Sequence, residues 1–345
     1  MTGPHPATAA TRLAVRAVLG EGDPGDLVLV ACSGGADSLA LAAAVAFEAP
    51  KLALRAGAVV VDHGLQADSA QVAAKVGSRL GRLGLDPVDV VSVEVARGPD
   101  GVESAARDAR YAALSSAADR HGARLVLLGH TLDDQAEQVL LGLTRGAGAR
   151  SLAGMPRARD RFRRPLLGVT REQTRASCAA EGLTWWDDPM NADPAFTRVR
   201  ARRALADLER DLGPGVAAAL ARTAEQLRED ADHLDALADR ALATLLPPPA
   251  GRAESAGQPG DDYPGPAGVG VDALLALPRP VRTRVWRRLV LAAGAPPGQV
   301  STRHTEACDA LLTDWHGQGP VSLPGPLQAT RSAGRVSIAP PARVE

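Results

Sequence analysis

Near its amino terminus the chain reads Leu27-Val28-Leu29-Val30-Ala31-Cys32-Ser33-Gly34-Gly35-Ala36-Asp37-Ser38. The apolar run at its start predicts a buried strand, and the apolar residues that follow Ser38 predict a helix. Two adjacent glycines let the backbone turn tightly between strand and helix and approach a ligand closely. The free N–H groups of the turn and of the first helical residues then point at one spot, where the helix dipole also favours an anion. We therefore predict that a nucleotide's phosphates are bound by Ser33, Gly34, Gly35, Ala36, Asp37 and Ser38.

Asp37 is unexpected in a pure anion site, because its carboxylate repels phosphate unless a divalent cation lies between them. We therefore expect Asp37 to be a ligand of Mg²⁺ that is bound together with the phosphates. A strand-to-helix turn capped by Ser and Asp is the alternative, but the complete Ser-Gly-Gly-x-Asp-Ser string after a buried strand favours nucleotide phosphate. The sequence contains no Gly-x-x-x-x-Gly-Lys-Ser/Thr, which excludes the common kinase-type loop.

The composition predicts a cytoplasmic protein of two domains. Its 345 residues exceed the roughly 100–200 that one domain usually takes, and a net charge of −1 excludes a globally basic nucleic-acid coat. Three isolated cysteines without a Cys-x-x-Cys pair indicate a reducing compartment and argue against structural zinc. The sequence shows neither an export signal nor an apolar run long enough to span a membrane, so we expect no membrane partner.

Apolar runs alternate with helical patterns up to Trp186, which predicts an α/β fold. Continuous Val and Leu runs are buried on both faces, so we expect a mainly parallel, doubly wound sheet with helices on both sides. Ligands of such sheets bind beyond the carboxyl ends of the strands. The candidate strands are 27–31, 58–61, 88–93, 124–128 and 183–186, and the candidate helices are 38–47, 69–83, 103–120, 134–143 and 171–181.

The alternation stops near residue 200, where we place the boundary between a first domain, 1–200, and a mostly helical second domain, 201–345. Helical patterns cover 200–245, with a break at Gly213-Pro214-Gly215, and return over 271–293 and 302–312. The Pro/Gly-rich residues 246–270 predict a flexible loop between them. Short apolar runs separated by turns over 321–338 predict a small β tail.

Two further motifs follow predicted strands of the same sheet. Asp62-His63 ends the second strand. Turn chemistry is one interpretation, but beside a phosphate loop the backbone suits an adenine or ribose, with Asp62 and His63 nearby.

The fourth strand is followed by the motif His130-Thr131-Leu132-Asp133-Asp134-Gln135-Ala136-Glu137. The first and last acids of this motif share one helix face. Acids in a first helical turn ordinarily compensate the dipole. Three carboxylates and a histidine at this edge suit Mg²⁺ beside a triphosphate or a pocket for a cationic amine, whereas zinc is not favoured.

Arginine is concentrated between Arg145 and Arg210, where 14 arginines meet 8 acids for a local net charge of +6. Such a basic zone suits contacts with an RNA backbone. A solvated surface is the alternative, because the whole chain is biased towards arginine: only Lys51 and Lys75 are lysines.

Taken in order, these motifs resemble those of tRNA(Ile)-lysidine synthetases, a family of the ATP pyrophosphatase, or PP-loop, superfamily. The phosphate loop alone is shared by many amidating and thiolating enzymes, so the combination is the specific signal. It covers roughly residues 27–203 and is carried by 33–38, 61–65, 103–111, 129–137, 145–155, 164–167, 186–191 and 196–200. The resemblance implies an adenine nucleotide α-hydrolase-like first domain that is catalytic and a second domain that binds tRNA.

The resemblance also implies a reaction. ATP adenylates the wobble cytidine in the CAU anticodon of an isoleucine tRNA, and the ε-amine of free L-lysine then displaces AMP. The phosphate loop is expected to hold the leaving pyrophosphate, with Asp37 sharing Mg²⁺, and Arg110 and His130 are expected near the α-phosphate. Asp133, Asp134 and Glu137 are expected to bind the lysine ammonium or to assist its deprotonation, with the division of work left open.

For contacts with RNA, the resemblance and the basic zone together point to Arg145, Arg150, Arg198, Arg200, Arg202 and Arg203. Thr131 stands where many relatives carry a second histidine, so no essential acid or base is expected there. A homodimer is left open.

Three other functions are weighed against this one. A tRNA thiolase of the same superfamily needs a persulfide-carrying cysteine, usually with a partner, whereas Cys32, Cys178 and Cys308 are far apart in sequence. A synthetase for a small metabolite leaves the basic zone and the helical second domain without a role. A non-catalytic nucleotide sensor or RNA-binding module is the third alternative. Such a protein need not keep all four acids, which are Asp37, Asp133, Asp134 and Glu137.

Overall fold

A computed structural model describes residues 3–64, 68–94, 102–146, 148–246 and 268–341. The chain divides into two compact units, 1–228 and 229–345. The helices are α1 (Pro6–Leu19), α2 (Ala36–Glu48), α3 (Ser69–Arg82), α4 (Val102–His121), α5 (Leu132–Thr144), α6 (Ala149–Leu152), α7 (Arg171–Ala180), α8 (Thr197–Leu212), α9 (Val216–Leu245), α10 (Val271–Leu275), α11 (Arg279–Ala292) and α12 (Thr302–Thr313). The strands are β1 (Leu27–Ala31), β2 (Arg55–Asp62), β3 (Val88–Ser92), β4 (Leu125–Leu128), β5 (Ala158–Arg159), β6 (Phe162–Arg163), β7 (Val269–Gly270), β8 (Val321–Leu323), β9 (Leu327–Ser332) and β10 (Arg335–Ala339).

The first unit is built on a six-stranded sheet in the order β3-β2-β1-β4-β6-β5. Every neighbouring pair is parallel except the edge pair of β5 and β6. The mainly parallel sheet is therefore confirmed, as are the first four candidate strands.

The fifth candidate strand, 183–186, is wrong. These residues form no ladder, and the N–H of Trp186 instead donates a single hydrogen bond to the carbonyl of Gly34 at 3.0 Å. The sheet continues beyond β4 through the short hairpin of β5 and β6, which is too short to give a period-2 signal in the sequence. Helix α1 was not predicted either.

Side chains of β1 alternate between two hydrophobic clusters, one on each face of the sheet. Val28 and Val30 pack in the cluster that includes Leu39 and Val45 of α2. Leu27 and Leu29 pack in the cluster that includes Leu114 of α4. A strand with period 2 that is buried on both faces explains the continuous apolar run in the sequence.

Glycine at position 129 brings the end of β4 against the start of α2. A Cβ at Gly129 would lie 3.0 Å from the Cα of Ser38, so a larger residue would push the two elements apart. The phosphate loop and the residues after β4 are therefore neighbours at the carboxyl edge of the sheet.

The second unit joins helices to a four-stranded antiparallel sheet in the order β7-β10-β9-β8. The predicted helical region with a small β tail is confirmed, although the pattern over 271–293 is divided at Pro278 into α10 and α11. A buried ion pair joins α11 to α12, because Arg282 contacts Asp309 at 2.6 and 3.0 Å. Residues 247–267 of the predicted loop, and Leu65, lie outside the described residues. Across the described ranges, no helix has both the length and the apolar character needed to cross a membrane.

Candidate active site

The phosphate loop is closed by its own hydrogen bonds. The Ser38 hydroxyl accepts from the Ser33 N–H at 3.2 Å and donates to the Gly35 carbonyl at 3.0 Å. Gly34 has φ +86°, and a Cβ there would lie 2.5 Å from Cγ2 of Val76, so only glycine fits. Gly35 precedes α2 and has no side chain to cap it, which leaves the first N–H groups of the helix open to an anion. The loop therefore has the backbone geometry that the predicted phosphate cradle requires.

Asp37 lies in the first turn of α2 and is held from α7. The Thr174 hydroxyl donates to Oδ1 of Asp37, and Nε of Arg171 lies 3.8 Å from Oδ2. Burial, together with the charges of Asp134 and Asp133, raises the pKa of Asp37 to about 6 against the opposing effects of the Thr174 hydrogen bond and the charge of Arg171. The site therefore favours a cation beside this carboxylate.

The predicted acids do come together, in an acid cluster formed by Asp37, Asp133, Asp134 and Glu137. Arg171 lies among them: its Nη2 is 2.8 Å from Oδ1 of Asp134 and 3.1 Å from Oε1 of Glu137. The backbone N–H of Arg171 donates to Oδ2 of Asp133 at 2.7 Å, and Nε of Arg202 donates to Glu137 at 2.9 Å. Two arginines thus offset part of the charge of four carboxylates.

Asp134 also helps to cap the start of helix α5. It accepts from the N–H of Thr131 at 2.8 Å and from the Thr131 hydroxyl at 3.1 Å, which completes a capping box at the start of α5. The charge of Arg171 and these hydrogen bonds outweigh burial and lower the pKa of Asp134, which stays ionised. Thr131, at which no essential acid or base was expected, serves as the cap of this helix.

A second cluster, the anion pocket, contains Arg110, Arg164, His63 and His130. Within the described part of the chain, Nε of Arg110, Nε of Arg164 and Nδ1 of both histidines are buried without a hydrogen-bond partner. Neither arginine has a carboxylate partner among the described residues. Buried polar atoms are normally paired, so unpaired donors beside two buried cations indicate a place for an anionic ligand.

The electrostatics of the anion pocket agree with its geometry. Burial and the charge of Arg110 together lower the pKa of His130 to about 3, although the charge of Asp134 opposes them. Burial and the charge of Arg110 lower the pKa of His63 as well. Both imidazoles are therefore neutral near pH 7, and the positive charge of the pocket comes from its arginines.

Asp62 is the last residue of β2 and lies at the same edge of the sheet. Its Oδ1 accepts from the Gly64 N–H at 3.0 Å, which is the turn chemistry that the sequence allowed. His63, the next residue, belongs to the anion pocket. Asp62 therefore stabilises a turn, whereas His63 lies in the anion pocket.

The six arginines predicted to bind RNA are placed in different surroundings. Arg145, Arg150, Arg200 and Arg203 are exposed. Arg202 turns to Glu137, and the charge of Arg198 acts on Arg110 and His130. Arg198 and Arg202 are thus close to the two clusters.

Sequence reasoning missed Arg171, Thr174 and Arg164. A capping box, Thr170 with Gln173, starts α7 and was a readable signal for a helix that presents Arg171 in its first turn. Arg164 follows β6, which itself was not predicted; it is 3% exposed and donates to the Tyr111 hydroxyl at 3.0 Å.

The described residues contain no group of three or more His, Cys, Asp or Glu side chains arranged to hold a metal. Asp37 alone is compatible with Mg²⁺, which commonly takes one or two carboxylates and completes its shell with phosphate oxygens and water.

Comparison with known proteins identifies the family. Residues 9–209 match the PP-loop domain, and residues 271–337 match the TilS substrate binding domain. The chain is 51% identical to the tRNA(Ile)-lysidine synthase of Streptomyces coelicolor over 97% of its own length and 99% of that protein. The chain belongs to the tRNA(Ile)-lysidine synthase family. A second relative, the tRNA(Ile)-lysidine synthase of Thermobifida fusca, is also 51% identical, over 98% of this chain and 99% of that protein.

Membership in the tRNA(Ile)-lysidine synthase family confirms the resemblance drawn from the motifs, and the PP-loop domain makes the protein an ATP-utilising enzyme. Among solved structures, the chain is similar to the U34-tRNA thiolase NcsA of Methanococcus maripaludis. The TM-score is 0.54 at 18% identity, over 65% of this chain and 80% of that one. This likeness confirms the fold and carries no statement about thiolation.

Proposed function

We propose that the protein ligates L-lysine to the wobble cytidine in the CAU anticodon of an isoleucine tRNA and converts ATP to AMP and pyrophosphate. The observation that carries the proposal is the identity of 51% to tRNA(Ile)-lysidine synthases along nearly the whole chain. The first domain, 1–200, carries the chemistry, and the second domain, 201–345, binds tRNA. We place the reaction in the cytoplasm; a homodimer stays open.

In the first half reaction, the exocyclic oxygen of the cytosine attacks the α-phosphate of ATP, and pyrophosphate leaves. The phosphate loop holds the pyrophosphate through the open N–H groups at the start of α2. Arg110 and Arg164 stabilise the negative charge that develops at the α-phosphate, and neutral His130 contributes a hydrogen bond rather than a charge. The cations are preorganised, because the fold holds them buried before any ligand arrives.

Mg²⁺ fits beside Asp37, where it would offset the charge of the phosphates. The raised pKa of Asp37, about 6, reflects a carboxylate that lacks a full cationic partner in the fold itself. Arg171 is too far for a hydrogen bond, at 3.8 Å, so Oδ2 remains open to a metal or its water.

In the second half reaction, the ε-amine of lysine attacks the carbon of the base that bears the adenylated oxygen; a C–N bond forms, the C–O bond breaks, and the oxygen leaves with AMP. The amine must be neutral to attack, so a carboxylate has to accept its proton. Asp134 is occupied by Arg171 and Thr131. Hydrogen bonds from the described residues reach Oδ2 of Asp133 and Oε1 of Glu137. Their other carboxylate oxygens, Oδ1 of Asp133 and Oε2 of Glu137, support the proposal that these two residues bind the lysine ammonium.

Thiol chemistry is the main rival, and the cysteines argue against it. All three are buried, and burial raises the pKa of Cys178 and of Cys308 to about 12. Burial also raises the pKa of Cys32, which lies next to the phosphate loop. A thiolate is the reactive form of cysteine, and none is favoured here.

The deciding experiment incubates the protein with ATP, labelled lysine and an isoleucine tRNA transcript that carries CAU. A transcript with a GAU anticodon, which lacks the wobble cytidine, is the matched control. We expect lysine to enter only the CAU transcript. ATP–pyrophosphate exchange without lysine incorporation would rule out lysidine formation and leave the PP-loop chemistry standing.

A further inference from the structure

Tyr111 of helix α4 contacts Arg164, the residue that follows strand β6. The Tyr111 hydroxyl accepts a hydrogen bond from Nη2 of Arg164 at 3.0 Å. The Tyr111 ring lies edge-on to the ring of Phe162, with the centroids 4.9 Å apart and the planes at 71°, which is a favoured aromatic geometry. Both rings pack in the hydrophobic cluster on this face of the sheet. The packing of the ring therefore gives the hydroxyl a defined position.

This hydroxyl is one of two acceptors that fix the guanidinium of Arg164. Nη2 donates to Tyr111, and Nη1 donates to the backbone carbonyl of Pro156 at 2.8 Å. Nε of Arg164 is buried and has no hydrogen-bond partner among the described residues. Because a guanidinium group is planar and rigid, fixing two of its nitrogens also determines the direction of the third N–H. Tyr111 and Pro156 therefore set the direction in which the open donor of Arg164 points.

The open donor of Arg164 belongs to the anion pocket. Burial, together with the charges of Arg110 and Arg164, lowers the pKa of His130, so both guanidinium groups lie near this imidazole. Arg164 is 3% exposed. Water therefore has little access to a misdirected N–H of this side chain, and the direction of the donor matters for the binding of an anion.

Tyr111 holds these arginines without a carboxylate. The guanidinium carbons of Arg107 and Arg110 lie 5.3 and 5.8 Å from the centroid of the Tyr111 ring, within the range of cation–π attraction. Burial acts to raise the pKa of Tyr111, but the charges of Arg164 and Arg107 outweigh it and lower the pKa. The hydroxyl oxygen thus lies in the positive field of the arginines. An acid at this place would hold Arg164 as well, but it would offset the charge that the pocket needs.

We propose that Tyr111 is a positioning residue for adenylation, whose hydroxyl aims the guanidinium of Arg164 at the α-phosphate of ATP. Tyr111 acts through Arg164 and does not itself contact the reacting atoms. The inference rests on the proposed function and deepens it, because it assigns the group that orients one of the two cations at the α-phosphate.

A double-mutant cycle tests this role with the full-length protein. Tyr111→Phe removes the hydroxyl and keeps the ring. ATP–pyrophosphate exchange with the CAU transcript is measured over a range of ATP concentrations for the wild type, Tyr111→Phe, Arg164→Gln and the double variant. Ser116→Ala is the matched control, because the exposed Ser116 hydroxyl on the same helix also accepts from an arginine, Arg120, at 3.2 Å.

We expect Tyr111→Phe to lower the exchange rate at saturating ATP about tenfold. Removing a donor that acts in the transition state costs on the order of 100- to 1,000-fold, and a donor that is present but misaligned should cost less. The KM for ATP should change by no more than about threefold. In the Arg164→Gln background the same change should cause no further loss, and Ser116→Ala should keep the wild-type rate.

An undiminished rate in Tyr111→Phe, a further tenfold loss on top of Arg164→Gln, or an equal loss in Ser116→Ala would overturn the proposal. If Arg164→Gln does not fold, Arg164→Lys takes its place in the cycle with the same expected result. Lysine keeps the charge but lacks the planar fork that Tyr111 orients.

Calorimetry with ATP alone repeats the cycle without the reaction. We expect Tyr111→Phe to weaken ATP binding about two- to threefold, and only while Arg164 is present. A wild type without exchange would contradict the proposed function, and this binding cycle would still decide the role of Tyr111. Equal weakening with and without Arg164, or no weakening, would then overturn the assignment.

Discussion

Replacing Asp37 by asparagine should stabilise the ligand-free protein while it removes a carboxylate that the reaction needs. Burial raises the pKa of Asp37 from an ordinary 3.8 to about 6, and the charges of Asp134 and Asp133 act in the same direction. A carboxyl with a raised pKa in the folded state favours folding while it is protonated, and this contribution is lost as pH rises through 6.

The size of the effect follows from the difference in pKa. About two units at roughly 1.4 kcal/mol each make the ionised carboxylate destabilising by about 3 kcal/mol at pH 8, and by about half of that at pH 5. Asparagine keeps an oxygen that can accept from the Thr174 hydroxyl, and it carries no charge at any pH. The Asp37→Asn variant therefore lacks this destabilisation.

Urea denaturation at pH 8 and pH 5, without metal or nucleotide, measures the free energy of unfolding. Asp68→Asn is the matched control, because Asp68 is exposed and its side chain does not cap α3. We expect Asp37→Asn to gain up to about 3 kcal/mol over the wild type at pH 8, less at pH 5, and to lose ATP–pyrophosphate exchange. No gain at pH 8, or an equal gain at both pH values, would refute the argument from buried charge.

Three further variants test other parts of the structure. Arg110→Gln should lower the rate of adenylation about 100-fold in ATP–pyrophosphate exchange with little change in tRNA affinity, because it removes a preorganised cation; an unchanged rate would contradict the anion pocket. Gly34→Ala should abolish ATP binding in calorimetry even when combined with Val76→Ala, since the φ of +86° stays strained after the contact is relieved; full rescue by the second change would show that contact alone matters. Asp309→Ala should destabilise the second unit by about 3–5 kcal/mol in denaturation, because it leaves Arg282 buried and unpaired; a loss below about 1 kcal/mol would count against that ion pair.

Local patterns in the sequence predict the carboxyl edge of the sheet, where the candidate site lies. The strand β1, the phosphate loop and the helix α2 are contiguous, and each carries its own signal in apolar runs and glycines. The acids after β4 also come together as expected, because the carboxyl ends of parallel strands share one edge.

The partners of those acids come from distant parts of the chain and give no local signal. Arg171 reaches Glu137 across 34 positions, and Thr174 reaches Asp37 across 137. The extended residues near Trp186 read as a strand because they are apolar and short, yet they pack on the phosphate loop instead of pairing in the sheet. Local periodicity cannot tell a buried extended segment from a strand, since both need the same side chains.

The burial of Arg164 is a second feature that local sequence patterns do not predict. An arginine in a basic zone reads as surface, but this one is 3% exposed and packs beside Tyr111. Its burial depends on β6 pairing with β4, a tertiary contact that the sequence pattern does not contain.

In the proposed function, release of pyrophosphate from ATP at the phosphate loop drives lysine transfer to RNA. The most direct measurement quantifies AMP, pyrophosphate and RNA-bound lysine in one reaction with the CAU transcript. We predict equal amounts of all three, with none formed by Asp37→Asn. Release of ADP and phosphate, or AMP formed without lysine in the RNA, would contradict the account.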